Sequence, residues 1–137
     1  MVVVAVIGII TVLGTPVFIS FMQAQKLQGA AQQVVTLMNQ ARQLAITRNT
    51  SYQVEVDVSG NQLRFVRTSD NAAWVGPGTD SNGYRQLENQ AKLSNATANP
   101  TFNSLGTASA ATITVQNAQG SGSMDVVVST SGRIRIQ

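Results

Sequence analysis

The sequence predicts an α+β protein: one long N-terminal helix lying along a small antiparallel β head. Three observations lead there. Residues 1–19, MVVVAVIGIITVLGTPVFI, carry no charge and only two hydroxyls, Thr11 and Thr15. From Phe18 to Ala45 the apolar residues recur at steps of three and four, the period of one helix face. From Tyr52 the period falls to two, with Tyr52, Val54, Val56 and Val58 alternating with Gln53, Glu55 and Asp57.

Nineteen helical residues reach about 28 Å, close to the hydrocarbon thickness of a bilayer. A secretory signal peptide has a basic start, a shorter apolar core and a small-residue cleavage site, and none of these is visible. A buried core helix needs a domain able to surround it, which the remaining Gly-, Ser-, Asn- and Gln-rich chain is too small to supply. The segment therefore reads as a membrane span, with Val4, Ile7, Ile10, Leu13 and Phe18 in its apolar surface. Gly8 and Gly14 lower helix propensity and Pro16 removes a backbone donor, so these three mark a place where the helix can melt.

Beyond Pro16 the apolar surface narrows to a stripe that includes Leu27, Val34, Leu37, Met38, Ala41 and Leu44, separated by Gln, Asn, Lys and Arg. No turn signal divides the two halves. Residues 1–24 are expected in membrane or filament, and residues 25–137 as the amphipathic half plus head. Val34, Leu37, Met38, Ala41 and Leu44 are expected to form the seam against the sheet, with the helix continuing to about Arg48.

Tyr52–Val58, the turn cluster Ser59-Gly60-Asn61 and Gln62–Thr68 read as a hairpin. Leu63 and Phe65 join the valines only in one register, because a one-residue slip reverses the faces. Residues 69–99 are the least regular, with Gly76-Pro77-Gly78, Asp80-Ser81-Asn82-Gly83 and Asn99-Pro100 as turn signals. Trp74 is expected to pack this loop onto the head, and Leu87 to Leu93 reads equally as a short strand or a helical turn. Thr112–Val115 and Met124–Thr130 are further strands, followed by Ser131-Gly132 and a last segment, Arg133 to Gln137.

Composition narrows the chemistry. The 137 residues include 9 basic and 6 acidic side chains, a net charge of +3, and no charge precedes Lys26. There is no cysteine and no histidine, so disulfides, thiol chemistry and the commonest general base and metal ligand are all absent. Neither an enzyme nor a metal or cofactor site is indicated. Glu55 and Asp57 share a strand face, an arrangement commonplace on solvated strands, and Asp80–Gly83 lacks the spacing of a calcium loop and reads as an Asx turn.

The apolar start fused to an amphipathic helix and a β-rich head resembles type IV pilins and the pseudopilins of type II secretion. The second half sharpens this: Phe102-Asn103-Ser104-Leu105-Gly106, an apolar strand, then Val128-Ser129-Thr130-Ser131-Gly132-Arg133-Ile134-Arg135 is similar to the GspH/FimT group of minor pilins and pseudopilins. The resemblance implies a β-sandwich-like head packed on the helix. It also implies a single-pass inner-membrane protein with its head in the periplasm, which later enters a pilus or pseudopilus and is partnered there by other pilins or pseudopilins. A prepilin peptidase and N-terminal methylation are implied as well. The Phe-Thr-Leu-Ile-Glu-like stretch that follows the family's cleavage site is missing, so the site is expected just ahead of Met1. In pilin filaments the region matching Gly8, Gly14 and Pro16 is often extended.

If the tail is extended, Arg133 and Arg135 point to one face and Ile134 and Ile136 to the other. Two guanidinium forks about 7 Å apart suit phosphate oxygens. The resemblance points the same way, because FimT-like minor pilins of competent bacteria bind DNA through a C-terminal Gly-Arg-x-Arg motif, matched here by Gly132, Arg133 and Arg135. Those proteins often continue with a cysteine where this chain has Gln137. The alternative for the tail is an edge strand protected from aggregation by its arginines. Arg64, Arg67 and Lys92 are candidates to widen the patch, and Arg42 and Arg48 read as solvated charges.

Two functions follow. One is a FimT-like minor pilin that binds DNA for uptake in natural transformation through its tail. The other is a GspH-type minor pseudopilin acting in pseudopilus assembly and protein export without DNA.

Overall fold

The computed structural model describes residues 2–137, and the side chains of residues 10–17 lie outside that description. Helix α1 spans Val2–Thr47, about 69 Å at 1.5 Å per residue. Its end is a left-handed cap: Asn49 takes φ 49°, while Asn49 N–H donates to Ile46 O (3.2 Å) and Thr50 N–H to Ala45 O (3.1 Å). Ile10, Leu13, Gly14 and Pro16 fall in the 10–17 stretch, outside the described side chains. Gly8 sits within α1 with open space around it. Among the described residues, no helix is long and apolar enough to cross a membrane.

Two antiparallel sheets follow. In the first, β1 (Tyr52–Asp57) lies between β2 (Gln62–Arg67) and β6 (Thr101–Phe102). The outer edge of β2 takes β3 (Ala72–Ala73) and β4 (Tyr84–Gln86) in turn. In the second, β5 (Lys92–Ala96), β7 (Ala111–Gln116), β8 (Ser123–Val128) and β9 (Ile134–Ile136) follow one another in space. The hairpin register sets Val54 opposite Phe65 and Val56 opposite Leu63, so Leu63 and Phe65 do join the valine face.

One core serves the helix and both sheets. Leu27, Ala30, Ala31, Val34, Leu37, Met38, Ala41 and Ala45 of α1 are buried against Tyr52, Val54, Leu63, Phe65 and Phe102 from one sheet and Leu93, Ile113, Val115, Val126 and Val128 from the other. Of the expected seam, Leu44 alone is half-buried, at the margin of the helix face.

The stretch 69–99, expected to be irregular, is ordered by partners distant in sequence. Gln33 of α1 donates to Gln86 O (3.3 Å) and accepts from Glu88 N–H (2.9 Å). Asn61, at the hairpin turn, donates to Ala91 O (2.7 Å) and accepts from Leu93 N–H (2.7 Å). Each amide supplies one donor and one acceptor and so stands in for a neighbouring strand. That is why Leu87 to Leu93 could not be assigned from local pattern: residues 87–91 are a loop, and β5 begins only at Lys92. Trp74 packs as expected, its ring centroid 5.8 Å from that of Phe65.

Leu37 is 3% exposed and touches the shared core. Leu37→Ala should therefore cost about 2–5 kcal/mol, read as a shift of the urea midpoint followed by Trp74 fluorescence. Leu44→Ala, at the half-buried margin, should shift it much less.

Candidate functional site

The tail is built as a short edge strand. After β8 the chain turns through Ser129–Gly132, with Gly132 N–H donating to Ser129 O (2.9 Å) and Ser129 N–H to Arg133 O (2.9 Å). β9 then pairs with β8, setting Val127 opposite Arg135 and Val128 opposite Ile134. Strand alternation does the rest: Ile134 and Ile136 pack on the core, while Arg133 and Arg135 are exposed. Among the described residues neither arginine has an ion pair or a side-chain hydrogen bond, so two guanidiniums stand free in water.

Gly132 is held by a contact that sequence reasoning missed. Its φ is +78°, and a Cβ built there would lie 2.0 Å from the carbonyl oxygen of Gly106. Only glycine permits that approach of two backbones. Gly106 itself has φ +82°, in a turn organised by Asn103, whose side-chain oxygen accepts from Leu105 N–H (3.0 Å) and Thr107 N–H (3.2 Å). The Gly106 carbonyl also accepts from Arg42 Nε (2.9 Å). Helix, Asn103 turn and tail therefore meet at one point. The signal in sequence was the pair of glycines in Phe102–Gly106 and Ser131-Gly132; nothing local distinguishes Arg42 from Arg48.

The remaining basic candidates are placed elsewhere. Arg64 lies in the first sheet, with Nε 2.6 Å from Glu55 Oε2 and its guanidinium 4.7 Å over the Tyr84 ring. The hydrogen bond that Arg64 donates to the Glu55 carboxylate holds its guanidinium above the ordinary arginine value. Arg67 grips Asp70 through two bonds of 2.9 and 2.7 Å. Both charges are thus already neutralised. Lys92 is exposed but opens β5, three strand spacings, or about 14 Å, across the second sheet from β9.

The carboxylates have structural work. Glu55 serves Arg64, and Asp57 closes the hairpin turn by accepting from Ser59 Oγ (2.7 Å), Gly60 N–H (2.9 Å) and Gln62 Nε2 (2.9 Å). These bonds, led by the Ser59 hydroxyl, lower the Asp57 pKa to about 2. Asp80 accepts from Asn82 N–H (2.9 Å) and Tyr84 N–H (2.8 Å), the Asx turn expected there. Among the described residues no cluster of three or more His, Cys, Asp or Glu side chains is placed to hold a metal.

The chain matches the model of the family described as "Type II transport protein GspH" over residues 30–132. The chain belongs to the GspH family. The match ends at Gly132, so the joint lies inside the family pattern while Arg133 and Arg135 lie beyond it. Among solved structures, the minor pseudopilin EpsH from the Type 2 Secretion System of Vibrio cholerae is similar at 16% identity, over 82% of this chain and 96% of that one, with a TM-score of 0.63. The type IV minor pilin FimU of Pseudomonas aeruginosa is similar at 16% identity, over 81% of this chain and 92% of that one, with a TM-score of 0.58. At these identities the likeness is one of fold. A comparison with curated protein sequences gave no match. GspH-family chains are pilin-like structural subunits rather than enzymes, and they assemble with other pilin-type subunits.

Gly132→Ala should destabilise the head by about 1–3 kcal/mol for its left-handed backbone alone, and more through the clash with Gly106. Thermal unfolding of the variant beside Gly120→Ala checks this, since Gly120 also has a positive φ (72°) but open space around it. The hairpin turn gives a pH signature. Because the folded Asp57 pKa lies below its unfolded value, its contribution is complete above about pH 4 and lost as the pH falls through about 2. The stability gap between the parent and Asp57→Asn should be constant from pH 7 to 5 and close towards pH 2, measured as urea midpoints.

Proposed function

We propose that this chain is a minor subunit of a pilin-type filament. It is held first in the bacterial inner membrane by its N-terminal helix, with the head in the periplasm, and is then drawn into a pilus or pseudopilus by the same helix. The observation that carries this reading is the bare apolar arm of α1. Leu27 is the first buried residue of the helix among those described, so the arm from Val2 reaches about 37 Å beyond the head. Its described large apolar side chains are exposed, Val2 at 77% and Phe18 at 64%, with Val4, Ile7 and Ile9 alike. Apolar surface on this scale is satisfied by lipid or by the arms of neighbouring subunits. Residues 1–24 form this arm and residues 25–137 the head. Val4, Ile7, Ile10, Leu13 and Phe18 contribute its burial surface, and Gly8, Gly14 and Pro16 are where it can loosen in the filament. Processing by a prepilin peptidase belongs to the same reading. The family description supports a type II secretion pseudopilus, in which the subunit acts in assembly and export without DNA.

A second reading is favoured by the tail. Arg133 and Arg135 are exposed and make no ion pair among the described residues, and the Gly132 that precedes them is fixed beside Arg42, which lies about 22 Å further along α1 than Leu27. They stand at the end of the head away from the arm, so burial of the arm leaves them open. In this reading the subunit belongs to a type IV pilus and grips DNA phosphates for uptake.

The intact chain should fractionate with membranes, and Ile7→Asp should block insertion or assembly while leaving the unfolding of the head unchanged; recovery of the intact parent as a detergent-free monomer would overturn the filament reading. DNA binding is tested with the full chain in mild detergent, titrated with duplex across salt concentrations. Arg133→Ala/Arg135→Ala should lower the salt slope by about 1.8, or about 0.9 per phosphate contact, equally for different DNA sequences. A double variant that binds like the parent would remove the DNA reading and leave the pseudopilin.

A further inference from the structure

A sheet edge left unpaired is a template for another strand, and folds cover or break such edges with their own chain. Among the described residues every edge but one is treated in that way. The outer edge of β2 takes β3 and β4, and β3 is only two residues long. β4 is covered in its turn. Tyr84 N–H donates to Asp80 Oδ1 (2.8 Å), Tyr84 O accepts from Asp80 N–H (2.9 Å), and Gln86 O accepts from Gln33 Nε2 (3.3 Å). β6 is met by residues 107–109, with Thr101 O accepting from Ser109 N–H (3.0 Å) and Thr101 N–H donating to Ser109 Oγ (2.9 Å). β5 is capped by the Asn61 amide at Ala91 and Leu93 and interrupted by a bulge between Leu93 and Asn95.

The exception is β9. It ends the order β5-β7-β8-β9, and among the described residues no strand lies beyond it. Its bonds to β8 alternate: Arg133 O accepts from Ser129 N–H (2.9 Å), Arg135 stands opposite Val127, and Gln137 exchanges both main-chain bonds with Asp125 (3.0 and 2.8 Å). Antiparallel alternation then turns the N–H and C=O groups of Ile134 and Ile136 away from β8, towards the open edge.

The side chains determine what that edge accepts. A strand added there sets every second residue beside Arg133 and Arg135, which are exposed and make no ion pair among the described residues. Asp125 shares their face, but it stands on β8, inside β9, and its carboxylate accepts from the Thr114 hydroxyl (2.7 Å). The intervening residues of the added strand face the side of Ile134 and Ile136, which are half-buried where β9 packs on α1. Alternating acidic and apolar residues suit both sides. A second copy of β9 does not, because it sets arginine against arginine on one face.

We propose that β9 is a strand-addition site for an extended acidic–apolar segment of a different filament subunit, bonded through the main chain of Ile134 and Ile136 and aligned by Arg133 and Arg135. The source of the segment rests on the filament reading above; the edge itself is independent of the DNA reading. So short an edge binds weakly alone, and two subunits whose arms share a filament present it at high effective concentration.

The test is amide hydrogen exchange of the full chain in mild detergent, followed by NMR, with the peptide acetyl-Glu-Val-Glu-Val-Glu-amide at millimolar concentration. In antiparallel register its valines stand opposite Ile134 and Ile136. The peptide should slow exchange several-fold at those two amides and leave Arg135, already paired with β8, unchanged. The same peptide N-methylated at its valines should lose the protection, and acetyl-Lys-Val-Lys-Val-Lys-amide should give none. Arg133→Glu/Arg135→Glu should reverse the preference between the two charged peptides. Equal protection by the N-methylated peptide would overturn strand addition in favour of charge capture alone. Equal protection by duplex DNA would overturn it in favour of a nucleic-acid contact. No protection by the acidic peptide would overturn the site and leave the filament and DNA readings in place, since neither uses these main-chain groups.

Discussion

Neither sheet has a core of its own without the buried face of α1. Leu27, Ala30, Ala31, Val34, Leu37, Met38, Ala41 and Ala45 form the layer against which both sheets close. The four alanines matter as much as the larger residues, since they let strands approach the helix axis while Leu, Val and Met fill the spaces between. The same helix continues past Leu27 into a stretch that meets no sheet and, before Lys26, carries no charge. One element is therefore divided between two environments, and the division falls where the strands run out.

A head with few charges is held together by amides acting on backbone. Gln33 and Asn61 pair with the loop before β5, Asn99 accepts from Val56 N–H (3.1 Å), and the buried Asn117 accepts from Ser121 N–H (2.9 Å). Buried or half-buried backbone groups need partners, and a carboxamide offers a donor and an acceptor with no charge to desolvate. The abundance of Asn and Gln is in this sense a structural property of the head. It also explains why the carboxylates are spent on turns and arginine pairs rather than gathered into a reactive site.

The contact of Gly106 with Gly132 links the family pattern to the tail. Both glycines have positive φ and touch backbone to backbone, with Arg42 bonded to the shared carbonyl. This joint orients whatever follows Gly132, whichever filament the subunit enters. The arginines that follow are free to differ in function because the fold does not use them: their side chains face water, and the alternating Ile134 and Ile136 supply the packing. A rigid scaffold of this kind would suit a binder and a plain subunit equally, which is why the fold alone selects neither.

The sequence by itself determined what short-range periodicity controls. The three- and four-residue stripe marked the helix face from Val34 to Ala41, strict alternation marked the hairpin and β7, and alternation in the tail set Arg133 and Arg135 outward. Each depends only on where successive side chains point in a helix or a strand. Tertiary structure alone decided the rest. Residues 87–93 take their shape from Gln33 and Asn61, and Arg64 and Arg67 lose their place in a basic patch to Glu55 and Asp70. Arg42 gains its role from two glycines more than sixty residues away. In each case the deciding partner is distant in the chain and close in space, and no local pattern of residues carries that information.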